Sequence, residues 1–368
     1  MTLRTRLLAV CLSAGLALAP QDAGAQTFDG ITIIELDDRA GAEAIVGGNA
    51  VTSHIVTFVS AAGTYAALTD ENRRDCVAWA QPGSYTGDAI TFGGQRDEQR
   101  RTSPRVCLPF TLRLEGPDQV RVEVGERYSR ARPIVGRVPL TAFDWGKPHF
   151  ARHDIDGVVL GPVPALEARL SAGADIRITP RARRDGTIYE KIMRVTIPNP
   201  ANPNAPRTVD GRIAAARPIA WPWDALMRAG KTERLPQRSL IGPFDRAVVD
   251  RYGEPTMRER NPFGTKIVLS WFYDVTGRPV DPADGGPGSC LPTRELWAIA
   301  KDESDLGPWG CGLLFTVSHD GTRDFVSTYE IDAQSGYVAA LSHFARRLAE
   351  LQAARERNDA IRSAPVEF

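Results

Sequence analysis

The chain has 368 residues, of which 42% are hydrophobic and 24% charged, and its 45 basic residues are balanced by 45 acidic ones. A neutral chain has no long-range field with which to gather nucleic acid or acidic lipid, so neither is an expected partner. The length allows two or three domains and a sizeable core.

Residues 1–25 read as a secretory signal: Arg4 and Arg6 precede an apolar run over 7–19, and Ala23-Gly24-Ala25 offers small residues for cleavage. The expectation is an exported chain that begins at Gln26 and works in the periplasm or outside the cell. The apolar run is too short to span a bilayer, which takes about 20 residues, and no later run comes closer. Cys11 lies inside the run behind the bulky Val10, which does not suit lipid attachment. Beyond the signal stand Cys76, Cys107, Cys290 and Cys311, an even number suited to disulfides in an oxidising compartment. Three connectivities are possible, and the economical one pairs Cys76 with Cys107 and Cys290 with Cys311. Zinc would need close pairs such as C-x-x-C, and the sequence has none.

Residues 31–34 and 55–59 are strand-like. Between them Ile45-Val46-Gly47-Gly48 copies the activated N-terminus of trypsin-like proteases, but the accompanying histidine and Gly-Asp-Ser-Gly-Gly segments are missing, which leaves a glycine turn. The mixed charges of 96–105 read as a solvated face. A hairpin follows Cys107: Phe110, Leu112 and Leu114 alternate with polar residues, Glu115-Gly116-Pro117-Asp118 turns, and Val120, Val122 and Val124 return.

A domain boundary is expected near Lys147-Pro148. His149 and His153, spaced i, i+4 ahead of Asp154 and Asp156, are the best metal-ligand pair in the chain. Pro148 and the strand-like 158–160 leave only a turn or so of helix, and a third ligand is missing, so the pair reads as partly exposed polar residues at a domain edge, with no metal assigned. A second hairpin runs from 176–178 through Arg184-Asp185-Gly186-Thr187 to 189–195, with one side facing water. The proline-rich 199–206 is a loop. Trp221-Pro222-Trp223 reads as a domain junction, with a glycan-stacking platform as the alternative.

Residues 241–331 form the most coherent stretch. Asp245 is placed to cap a helix of about two turns, Phe244, Val248 and Tyr252 share one face, and Gly253 with Pro255 stops it. Strands follow over 267–273, 313–317 and 325–331, the last two around His319-Asp320-Gly321, so a short helix should lie on an antiparallel sheet. Gly242, Val248, Tyr252-Gly253-Glu254-Pro255, Asn261-Pro262-Phe263-Gly264-Thr265 and Trp271-Phe272-Tyr273, with Phe315 and Gly321 later, resemble the pattern of the SmpA/OmlA family, small lipoprotein domains associated with outer-membrane protein assembly. The resemblance covers about 240–335 and implies a helix-on-sheet fold and an envelope role. It departs from the family at Pro243-Phe244, where Met-Thr is usual, and at an insertion over 281–308.

From Val338 to Ala360 there is no Gly or Pro, and Leu341, Phe344, Leu348 and Leu351 recur at helical spacing. This long helix either lies on its own sheet or is offered to a partner.

The fold expected is β-rich α+β: antiparallel sheets and hairpins, a short helix on the C-terminal sheet and a long C-terminal helix, divided as 26–147, 148–238 and 239–368. The leading functional expectation is a non-enzymatic envelope module that binds other proteins, with Trp271, Tyr273, Trp221 and Trp223 as contact residues. The alternatives are a secreted hydrolase drawing a carboxylate pair from Asp281, Asp284, Glu295 or Asp302, and a small-ligand or glycan binder using Trp221 and Trp223. The chain carries no nucleophile elbow, H-E-x-x-H or cofactor fingerprint, so no catalytic residue, cofactor or metal is assigned.

Overall fold

Ile31, Ile33 and Ile34 make strand β1 (Gly30–Glu35) apolar on both faces, which suits a strand with packed layers on each side. It lies inside a nine-stranded antiparallel sheet, with three strands on one side and five on the other, in a computed structural model. The structure describes residues 28, 30–36, 38–50, 54–60, 63–69, 74–80, 85–86, 88–93, 106–139, 143–170, 173–182, 188–200, 202, 204–214, 224–260, 265–280 and 311–363. On one side of β1 follow β2 (His54–Ser60), β3 (Gly63–Thr69) and β4 (Arg74–Ala80). On the other come β9 (Tyr128–Val138), β8 (Gln119–Val124), β7 (Phe110–Leu114), β6 (Ala89–Phe92) and β5 (Tyr85–Thr86).

The two ends of this order meet. The Gly93 N–H donates to Trp79 O at 3.1 Å, the Cys107 N–H donates to Val77 O at 2.8 Å, and the disulfide Cys76–Cys107, with Cα atoms 5.1 Å apart, staples the same seam. The sheet therefore curls into a barrel, which removes most of its free edge. Its interior holds Ile34, Ile55, Leu68, Phe92, Leu112 and Val122. The predicted β7–β8 hairpin is present, with Leu112 opposite Val122 and Leu114 opposite Val120. Helix α1 (Arg39–Val46) packs Ala42, Ile45 and Val46 into this core and ends at Gly47, whose φ of 72° is the left-handed cap.

The second sheet runs β11 (Asp175–Ala182), β12 (Ile188–Ile197), β13 (Arg207–Ile213), β14 (Ala225–Leu240), β18 (Phe325–Gln334), β17 (Cys311–Asp320), β16 (Lys266–Asp274), β15 (Met257–Arg260), with β10 (Gly161–Pro162) beside β14. Strand β14 pairs with β13 on one side and β18 on the other. The boundary expected between 238 and 239 falls inside this strand, so both flanking segments belong to one sheet. Pro236, which has no N–H, sits where the β14–β18 register shifts between Arg234 and Ser239.

Helices α2 (Pro148–Arg152), α3 (Val163–Arg169) and α4 (Ile241–Tyr252) accompany this sheet. Helix α4 corrects one expectation. It begins at Ile241 with Leu240 as its N-cap, and Asp245 is inside the helix and buried. Pro243 falls in the first turn, where its missing N–H has no partner to lose, so the proline does not exclude helix. Phe244, Val248 and Tyr252 form the buried face as predicted.

The C-terminal helix α5 (Gly336–Ser363) joins the two sheets. Every residue from Tyr337 to Phe344 is buried. Phe344 stacks on Phe58 of the barrel at 5.9 Å, and Tyr337 OH donates to Val138 O at 3.1 Å. The outer faces of β1, β2 and β4, with Ile31, Ile33, Val56, Phe58, Val77 and Trp79, share one apolar core with Trp271, Phe315 and Val317 of the second sheet. Past Leu348 the helix emerges, and Ile361 is 65% exposed.

The fold is β-rich α+β with a short helix on the C-terminal sheet and a long C-terminal helix, as the sequence predicts. Residues 1–25, Trp221, Trp223, Cys290 and the insertion carboxylates Asp281, Asp284, Glu295 and Asp302 lie outside the described residues. Cys311 is disulfide-bonded.

Candidate functional site

Chemistry-bearing side chains gather on the face of the second sheet roofed by α2 and α4. Helix α2 is one turn, opened by Pro148, and the i, i+4 spacing carries His149 and His153 down onto β16 and β17. Both are buried, at 6% and 2% exposure, which corrects their expected position at an exposed domain edge. The reason is an aromatic box supplied from far along the chain. His149 stacks on Tyr273 at 4.8 Å, and His153 packs within 4.9–6.1 Å of the rings of Tyr252, Trp271, Tyr273 and Phe315. Gly277, at φ 84°, closes over His149, where a Cβ would lie 2.7 Å from the imidazole.

His153 Nδ1 lies 2.9 Å from His149 O, so that nitrogen donates and Nε2 keeps its lone pair. Burial pushes both imidazoles down to about 4, and for His149 the neighbouring His153 adds to it. At neutral pH both rings are uncharged members of an aromatic cluster. Among the described residues, no group of three or more His, Cys, Asp or Glu is placed to hold a metal ion.

Beside the box runs a chain of buried charge. Asp156 Oδ1 accepts from Arg207 Nη1 at 3.1 Å and Asp156 Oδ2 from Lys231 Nζ at 2.6 Å, and Lys231 also pairs with Glu233. Tyr329 OH donates to Glu233 Oε2 at 2.9 Å, and burial together with this bond pushes the phenol well above its usual range. The side chains of Lys231 and Asp156 are 7% and 6% exposed. Charges this deep are tolerated because each faces an opposite one. Asp156 has φ 53°, a conformation that Asp tolerates better than most residues, and Asp154 accepts the Gly157 N–H at 2.7 Å in the same turn. Burial likewise pushes Tyr252 up to about 12, and its OH donates to Asp154 O at 3.4 Å.

Under α4, Asp245 Oδ1 lies 3.1 Å from His319 Nε2, and its other oxygen pairs with Arg258. His319 Nδ1 lies 3.0 Å from Asp320 O. The aspartate expected to cap the helix instead ties it to β15 and β17. In the two charged groupings the polar atoms bind one another and fasten α4 and the 153–158 turn to the sheet, whereas Nε2 of His149 and of His153 are buried without a hydrogen-bond partner and α2 is held by ring packing.

Of the predicted contact residues, Trp271 is 2% exposed and donates through Nε1 to Gly253 O at 3.2 Å, so it is a core residue and not a surface anchor. Tyr273 shares its face, as the alternation of a strand requires, and is half-buried against His149.

The accessible apolar groups lie elsewhere. Strand β11 ends the second sheet, and its side chains are exposed along nearly the whole strand. Ile178 on β11 and Ile188 on β12 are 39% and 41% exposed, and Leu240, just before α4, is 62% exposed. The alternation of apolar and charged residues marks this hairpin in sequence, but a one-sided hairpin was expected, and β11 is open on both faces. No family model, curated protein or solved structure matches the chain.

Proposed function

We propose that the chain is an exported, non-enzymatic envelope module that binds another protein through the β11–β12 hairpin. The observation that carries this reading is the exposure of β11 at the edge of an otherwise well-packed sheet, with Ile178 and Ile188 open to solvent. An edge strand can accept a further strand from a partner, and apolar side chains beside it supply contact area. Pro180, which offers no N–H, and the charged Arg177 and Arg181 limit indiscriminate pairing along that edge.

The secretory-type N-terminus, the disulfide at the barrel seam and the SmpA/OmlA-like motif around Gly253 and Trp271 all agree with work in the envelope. No helix among the described residues is long and apolar enough to cross a membrane.

Affinity purification of the full chain from solubilised envelopes tests the reading. The wild type is expected to retain a partner that Ile178→Asp with Ile188→Asp loses, while the unfolding midpoint stays unchanged. Equal recovery with both proteins would overturn it.

A further inference from the structure

Strand register places one polar row across the inside of the barrel. Arg137 on β9 lies opposite Thr32 on β1, Thr32 opposite Thr57 on β2, Thr57 opposite Ala66 on β3, and Ala66 opposite Ala78 on β4. Alternation along the strands turns this row inward. Its neighbours Ile31, Ile33 and Val138 belong to the outer core, whereas Ile34, Ile55 and Ala66 belong to the inner one. The two threonines and two alanines of the row are small and fully buried, and Arg137 is the one long side chain among them.

Arg137 is the outlier in this row. Its Nε and Nη2 are buried without a hydrogen-bond partner, and the buried Thr32 Oγ1 likewise has none. Arg132, the buried arginine of β9, is served differently, since it pairs with Asp38 at 2.6 Å and donates to Tyr128 OH at 3.1 Å. Arg137 as a residue is partly buried, but a guanidinium is always charged, and two of its N–H-bearing nitrogens held out of water without an acceptor are costly. Nε and Nη2 are moreover the two nitrogens of one edge of the guanidinium, the fork that grips a carboxylate or phosphate with parallel hydrogen bonds.

We propose that this row is a binding site for a small oxyanion, a carboxylate or a phosphoryl group, held bidentately by Arg137 with Thr32 donating a third hydrogen bond. Thr57 is already engaged, its Oγ1 lying 3.5 Å from Thr32 O, and it completes the wall. The site is at the far end of β9 from the Asp38–Tyr128 cluster and does not depend on the hairpin reading.

Thermal unfolding of the full chain, titrated with inorganic phosphate, with acetate and, as an ionic-strength control, with chloride, tests the proposal. The expected result is a saturable rise in midpoint with phosphate, acetate or both, beyond the chloride effect. A response to phosphate alone assigns a phosphoryl ligand and a response to acetate alone a carboxylate. Arg137→Met should abolish the response while leaving the anion-free midpoint equal or higher, since it removes an uncompensated charge. Thr32→Val should weaken the apparent affinity about tenfold, the worth of one hydrogen bond to a charged group. A wild-type midpoint that follows ionic strength only, or an Arg137→Met protein that responds like the wild type, would overturn the site.

Discussion

Gly253 ties a helix to a sheet through its backbone alone. Its φ of 85° and ψ of 179° fall where only glycine sits without strain, its N–H closes α4 on Val249 O at 2.7 Å, and its carbonyl accepts the Trp271 indole. A Cβ there would also run into the Arg152 guanidinium. Gly253→Ala should therefore cost about 1–3 kcal/mol in equilibrium unfolding, with Trp271 fluorescence reporting a loosened α4. No loss of stability would show that the strain is relieved by local movement. His149 and His153 make a second prediction at this scale. Each ionises near pH 6.5 when unfolded and near pH 4 when folded, so between those values the unfolded chain takes up protons that the folded chain refuses. Stability is thus complete above about pH 6.5 and falls as pH drops towards 4, by on the order of 2–3 kcal/mol per histidine. Urea midpoints measured across that range should slope steeply for the wild type and flatten for His149→Gln with His153→Gln. Equal slopes would place the titration in other groups. The sequence shows the i, i+4 spacing of these histidines but not their cover, because Trp271, Tyr273 and Phe315 arrive from strands far along the chain. Asp245 offers a capping side chain in sequence, but the helix starts four residues earlier, at Ile241, where no capping side chain marks it.

At the scale of elements, local pattern and long-range pairing separate cleanly. The β7–β8 hairpin is written in alternating Leu and Val around a Gly-Pro turn, and α5 in the spacing of Leu341, Phe344 and Leu348. Strand β14 carries no such signal. Much of it is charged and polar, and it is a strand because β13 and β18 hydrogen-bond to it on both sides. Helix α5 was legible in extent but not in setting. From Tyr337 to Phe344 it is buried all round between barrel and sheet, and Ala339, Ala340 and Ser342 let it approach both. The two halves of α5 should therefore respond differently. Leu341→Ala should cost about 2–5 kcal/mol, whereas ending the chain after Arg355 should change stability by about 0.5 kcal/mol or less, as surface changes usually do. Denaturant unfolding of both variants checks this, and comparable losses would mean that the free end also packs on the molecule.

On the scale of the whole molecule, closure is what the sequence hides most completely. Strand β9 returns to β1, the seam at Trp79 and Gly93 closes the barrel, and the bridge from Cys76 to Cys107 lies at that seam. The disulfide was predictable because its cysteines bracket a single segment, but the ring of strands that it completes was not, since its pairings join distant residues. The same long-range packing merges barrel and second sheet through α5, with their aromatic and charged centres turned inward. At the end of the second sheet, exposed along nearly the whole of β11, stands the β11–β12 hairpin. Its proposed role is tested most directly by a photo-crosslinking amino acid at position 178 of the full chain in living cells. The account predicts a discrete adduct with one envelope protein, suppressed by Ile188→Asp and not formed from a crosslinker at buried position 193. No adduct, or an equal scatter of adducts from both positions, would contradict it.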